Sequence, residues 1–219
     1  MKRITSSIKS LVVVGSIAIC GLSTSAHAAI ITFTSSAFSA VTGLASYSDP
    51  ISGIQLTATT SLGNSPTLTF NGGAGIGISS LGNVPQLGTE IDSFENLNVH
   101  FNAPVSITNI EFLKLYARIP GRFLATPAES IEVRVNGSGS WTSFTGTETS
   151  ASGSGLYSSG FTALNVSSLD FRGTNGSLTS LLNDASLASI SYVPVPASAA
   201  LLAIGAMGLI AFRRRSLRA

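Results

Sequence analysis

Apolar and polar residues alternate with a period of two in a series of short runs between Ala29 and Tyr192. In Ile54-Gln55-Leu56-Thr57-Ala58-Thr59 the residues Ile54, Leu56 and Ala58 fall on one side of an extended chain. Leu97-Asn98-Val99-His100-Phe101 repeats the pattern, as do Ile131-Glu132-Val133-Arg134-Val135 and Leu169-Asp170-Phe171-Arg172, and Ala188, Ile190 and Tyr192 close the series. Such alternation, rich in Val, Ile, Thr and Phe, predicts strands with one buried and one wet face. Asn136-Gly137 supplies a turn after the 131–135 strand, and Trp141 to Phe144 is placed to return antiparallel to it. Asn102-Ala103-Pro104 is expected to separate the 97–101 strand from the run at 107–115. That run changes phase near Phe112-Leu113, which predicts a bulge or a strand covered on both faces. Gly72 to Gly88 and Thr145 to Gly160 are rich in Gly, Ser, Thr and Asn and are expected to be surface loops. The fold class is therefore all-β, a jelly-roll-like antiparallel β-sandwich over residues 29–192.

The two ends break this pattern. Lys2, Arg3 and Lys9 precede an apolar stretch from Leu11 to Leu22, and Ala26-His27-Ala28 offers a small-x-small cleavage site. Residues 1–28 thus read as a secretory signal peptide, with cleavage after Ala28. Its apolar stretch is short of the roughly twenty residues an anchor needs. At the other end, residues 193–219 hold three parts in order. Val193-Pro194-Val195-Pro196-Ala197 should end the last strand and leave an exposed, extended peptide, since proline brings no N–H to a ladder. Ala197 to Phe212 carries no charge and predicts a single transmembrane helix of roughly 24 Å at about 1.5 Å per residue, a little under a hydrocarbon core of about 30 Å. Arg213-Arg214-Arg215 follow and should stay cytoplasmic, leaving the body outside.

Charge and cysteine usage then narrow the function classes. The 219-residue chain has a formal net charge of +2, but its cations crowd the ends. The body from Ala29 to Tyr192 has five cations, Lys114, Arg118, Arg122, Arg134 and Arg172, against all ten carboxylates, a net of −5. That balance argues against nucleic acid as a partner, because clustered cations are needed to displace phosphate counterions. The single cysteine, Cys20, lies inside the removable leader. It resembles a lipobox cysteine only loosely, with Ile19 where a small residue is wanted. The mature body then has neither disulfide nor thiolate metal site, and its stability must come from its core.

The Val-Pro-x-Pro-Ala element, a small-residue-rich apolar span and a terminal arginine run together resemble the PEP-CTERM sorting domain, in its Val-Pro-x-Pro-Ala variant. The resemblance covers Val193 to Arg215, about a tenth of the chain. Val193, Pro194, Pro196 and Ala197 match the recognition element, Arg213, Arg214 and Arg215 match the basic stop, and Val195 stands where an acidic residue is commoner. The resemblance implies signal peptidase and an exosortase-type enzyme as processing partners. It also implies export across the inner membrane of a Gram-negative bacterium, a transient stay in that membrane, and a final place at the cell surface or in an extracellular matrix with exopolysaccharide.

Candidate chemistry in the body is sparse. It has no Gly-x-Ser-x-Gly elbow, no His-Glu-x-x-His and no Walker loop, so the reading is non-enzymatic and no catalytic residue or cofactor is assigned. His100, the body's one histidine, alternates with Leu97, Val99 and Phe101 and should face solvent. Glu90, Asp92 and Glu95 are the best candidates for a calcium ion, since three carboxylates within six residues can join backbone carbonyls around a hard cation. The spacing is not that of an EF-hand, and a solvated acidic loop is the favoured reading. Tyr47, Trp141 and Tyr157 could stack on sugar rings, although the place of Trp141 beside Phe144 points to core packing. Two functions compatible with this sequence are a sorted surface or matrix protein and a secreted carbohydrate-active hydrolase or lectin-like module.

Overall fold

Apolar residues on neighbouring runs meet across the ladders, and this pairing builds the inner face of one large sheet. The computed structural model describes residues 27–61, 65–79, 89–92, 94–118, 128–149, 154–174 and 185–195. Its strands are β1 (Ala29–Thr32), β2 (Ser46–Asp49), β3 (Ile54–Thr60), β4 (Thr67–Phe70), β5 (Ile76–Ser79), β6 (Glu95–Leu113) and β7 (Tyr116–Arg118). They continue with β8 (Ser130–Val135), β9 (Thr142–Thr145), β10 (Glu148–Thr149), β11 (Tyr157–Ser158), β12 (Ala163–Gly173) and β13 (Ser186–Pro194). An 11-stranded sheet follows the path β4-β5-β13-β6-β12-β8-β9, with β1 on β13, β11 on β6, and β2 joined through β3 to β6. All its ladders are antiparallel, and the only parallel pair among the described residues is the short β10–β7 contact. The chain is all-β, as the alternation predicts, and one compact unit spans Ala26–Pro196.

The 19-residue β6 organises the rest. Its first part pairs with β3 on one side, through Ile54↔Phe101, Leu56↔Val99 and Ala58↔Leu97. On the other side it pairs with β12, through Leu169↔Val99 and Phe171↔Leu97. Leu169 and Phe171 in turn face Val135 and Val133 of β8. These side chains form one apolar layer across four strands, all buried except the half-buried Val135. The later part of β6 exchanges β3 for β13, from Pro194↔Val105 to Ser186↔Leu113. There Ile107, Ile110 and Phe112 join Ile31, Leu68, Ile76, Ile78, Leu187 and Ile190 in the same core cluster. A 3-10 helix at Ser36–Val41 adds Phe38 and Val41, with Phe38 set 5.0 Å from the ring of Phe33.

Several local expectations need correcting. Asn102-Ala103-Pro104 does not end a strand: β6 runs through it, with the three residues exposed where the ladder changes partner. The Asn102 N–H donates to Gly53 at 2.9 Å, and the Pro104 carbonyl accepts the Val195 N–H at 3.3 Å. Proline's missing donor costs nothing in that gap, because neither β3 nor β13 claims it. Burial first changes phase at Thr108, a bulge left because Asn109 faces Ser191 while Ile107 faces Tyr192, and a second register shift lies at Phe112 as expected, where Leu187 faces Phe112 but Ser189 faces Glu111.

Gly72 to Gly88 is not all loop, because β5 lies inside it with Ile76 and Ile78 fully buried. Two of its glycines, Gly75 and Gly77, mark tight packing rather than looseness. A Cβ on Gly77 would stand 1.9 Å from the Thr89 carbonyl oxygen, and Gly75 combines φ +100 with a Cβ position 2.2 Å from the Leu187 oxygen. Likewise Thr145 to Gly160 contains β10 and β11.

The proline element also departs from expectation. Val193 and Pro194 are the last residues of β13, facing Ser106 and Val105, so this part of the peptide is zipped to β6 rather than free. Since N–H groups alternate sides along a strand and Val195 donates toward β6, the donor Pro194 lacks would point the other way. On that side β1 has already ended, at Ala29↔Tyr192. Pro196, Ala197, the span 197–212 and Arg213 to Arg215 lie outside the described residues, as do Ala26 and nearly all of the leader. Among the described residues no helix is long and apolar enough to cross a membrane. Ala28 is exposed, immediately before the first paired residue, Ala29.

Candidate functional site

The strands that turn Leu97, Val99, Val133, Leu169 and Phe171 inward turn their neighbours onto the opposite face, where a polar ladder forms. Thr57, Asn98, Asp170 and Arg134 stand side by side across β3, β6, β12 and β8. Asp170 accepts from Asn98 Nδ2 on one oxygen at 2.7 Å and from Arg134 Nε and Nη2 on the other at 3.2 and 3.1 Å. In the adjoining row Arg172 faces Glu132 and donates from Nε to Oε2 at 2.8 Å. Asp170 is only 5% exposed, so this carboxylate depends on those three donors in place of water.

The β8–β9 connection brings an aromatic residue back over this ladder. Asn136 and Gly137 take left-handed backbone angles (φ 54 and 64), and Ser138 N–H donates to the Val135 carbonyl at 3.2 Å, closing the turn. The Asn136 side chain fastens that turn to β12. Its oxygen accepts from the Ser167 and Ser168 N–H groups at 2.8 and 3.1 Å, and its Nδ2 donates to the Asn165 carbonyl at 3.1 Å. The chain then carries Trp141 beside both arginines, with Arg172 Cζ 4.0 Å and Arg134 Cζ 4.5 Å from the ring centroid. Trp141 is thus not a core residue; it is half-buried over charged groups on the outer face. Tyr47 and Tyr157 are packed against the core instead, with ring centroids 6.2 Å from Phe38 and 6.1 Å from Phe144.

Trp141, Arg134 and Arg172 line an open groove of about 330 Å³ together with Thr59, Thr60, Ser61, Asn96 and Glu95. The Asn96 Oδ1 atom is buried and has no hydrogen-bond donor among the described residues. The groove thus combines an indole, two guanidinium groups and several hydroxyls. No protein-family model, no characterised protein and no solved structure matches this chain.

The acidic cluster that could bind calcium has other work. Glu90 is paired with Lys114. Asp92 Oδ1 accepts the Phe94 N–H at 2.9 Å, while Glu95 Oε2 accepts the Asp92 N–H at 3.1 Å, an arrangement resembling a capping box that fixes the entry into β6. The Asp92 main-chain oxygen also accepts from Gly173 at 3.0 Å, tying this corner to the end of β12. Burial pushes the Asp92 carboxyl above its ordinary value of 3.8, against the pull of the Phe94 N–H. Among the described residues no three His, Cys, Asp or Glu side chains converge in the manner of a metal site. His100 is exposed, between Gln55 and Ser168 on the polar face.

Sequence reasoning named Trp141 but missed its neighbours Arg134, Arg172, Asn96 and Thr59. The signal was present in Glu132-x-Arg134 and Asp170-x-Arg172. Two acid-x-base runs on antiparallel neighbours place each acid opposite the other strand's base.

Proposed function

We propose that this chain is a non-enzymatic exported surface protein, addressed through its C-terminal segment and binding glycan on the open face that carries Trp141. The observation that carries the glycan-binding role is the Trp141 groove, with two guanidinium groups within 4.5 Å of one indole centroid among hydroxyl and amide side chains. Indole faces accept the C–H face of a sugar, and Thr, Asn and Arg satisfy its hydroxyls. The addressing role rests on the order of Val193-Pro194-Val195-Pro196-Ala197, apolar span and Arg213-Arg214-Arg215. The exchange of β3 for β13 along β6, around one core, supports a sandwich of jelly-roll type.

A glycosidase would need two carboxylates about 5–10 Å apart across a cleft. Glu95 is the carboxylate among the described residues lining the Trp141 groove, and its Oε2 is turned to the Asp92 N–H, which favours binding over hydrolysis. A glycan array probed with the full chain tests the reading: retention of at least one glycan class, lost in Trp141→Ala, is expected. Intact-mass analysis of protein recovered from its host tests the address, and a mature species still carrying Arg213 to Arg215 would count against it.

A further inference from the structure

We propose that the Trp141 groove selects an acidic sugar, a ring bearing a carboxylate such as a uronic acid, and that Arg172 is the residue that reads the charge. This rests on the glycan-binding reading above and deepens it. Arg172 donates only Nε to Glu132, so among the described residues its two Nη groups have no acceptor. A guanidinium with both terminal nitrogens unspent matches a carboxylate edge bidentately, a geometry that an ammonium cannot reproduce. Arg134 differs, because Nε and Nη2 both go to one oxygen of the buried Asp170. Arg134 therefore braces the floor while Arg172 faces the ligand.

The surroundings favour an anion at this place. Glu95, the groove's carboxylate among the described residues, is 3% exposed and already accepts the Asp92 N–H. It leaves Arg172 and Arg134 as the accessible charge. Thr59 spends its proton on the Asn96 carbonyl at 3.3 Å and keeps lone pairs for an incoming hydroxyl. A uronate residue supplies both parts, its carboxylate to Arg172 and its hydroxyls to Thr59. The net charge of −5 on residues 29–192 sets this apart from general attraction to polyanions, which such a body repels at long range.

The test is calorimetric titration of the full chain with oligogalacturonate, with the same oligomer after carboxyl reduction, and with duplex DNA as a polyanion control. The expected result is binding of oligogalacturonate at least ten-fold tighter than its reduced form, with no DNA binding. Arg172→Lys should lose about ten-fold for the acidic oligomer while keeping its circular dichroism spectrum. Glu132→Gln, which releases Arg172 from its carboxylate, should tighten acidic binding several-fold and leave neutral binding alone. If acidic and reduced oligomers bind equally, and both variants bind like the parent, the charge selection is wrong while glycan binding stands. If the array and both oligomers show nothing, the glycan-binding reading itself fails. Equal binding of DNA would replace selection by nonspecific attraction.

Discussion

Asp92 shows how much one side chain can be asked to do in a charge-poor domain. Its carboxylate holds the Phe94 N–H at 2.9 Å while buried to 4% exposure. Because burial raises its folded pKa above 3.8, the folded state binds the proton more tightly than the unfolded chain. Its contribution is then most favourable below 3.8 and declines as pH rises through the folded value. Asp92→Asn keeps an oxygen for the Phe94 N–H and removes the buried charge. Thermal melts across the acid range should show the variant at least as stable as the parent at pH 7, with a flatter pH dependence. Asp92→Ala loses the acceptor and should cost about 1 kcal/mol. Gly77 makes a steric argument at the same scale. Gly77→Ala drives its methyl into the Thr89 carbonyl, 1.9 Å away, and should cost roughly 3 kcal/mol in urea unfolding.

At the scale of elements, the polar ladder ties β6, β8 and β12 together on the face opposite the core. The Arg134–Asp170 pair is the better buried, with side-chain exposures of 28% and 8%. Asp170→Ala should therefore destabilise by about 2–3 kcal/mol, part of it the cost of leaving the guanidinium without its partner. Glu132→Ala, at the more exposed Arg172 pair, should cost under about 1 kcal/mol. Equal losses in chemical denaturation would contradict this ranking. The strands that build the ladder were legible from period-two alternation, because each has one apolar face and no competing signal. β5 is not, since Gly77 in Ile76-Gly77-Ile78, which looks like a loop residue, is there to admit the Thr89 backbone. Trp141 was misplaced for a related reason: its neighbours in space, Arg134 and Arg172, are set by strand register and not by its neighbour in sequence, Phe144. The run of β6 through Pro104 and the bulge at Thr108 are not legible in the sequence, because partner exchange along β6 depends on where β3 and β13 end, which local pattern does not encode.

At the scale of the whole molecule, the proline element belongs to two things at once. Its first residues close the sheet, with Val193↔Ser106, Pro194↔Val105 and the Val195 N–H on Pro104. Its later residues begin the segment that we propose addresses the chain to the surface. A deletion of 193–219 therefore confounds address with stability, because it strips the last ladder contacts between β13 and β6. A deletion of 196–219 separates them. The shorter deletion should leave the urea midpoint of the secreted protein within error of the processed parent while abolishing its retention on cells. The longer one should also lower the midpoint, by an amount corresponding to about 1–2 kcal/mol for two or three backbone hydrogen bonds at a strand end. Retention that survives removal of 196–219 would overturn the address. Equal midpoints for the two deletions would instead show that Val193 to Val195 add nothing to the sheet, and that the element is free for a processing enzyme throughout its length.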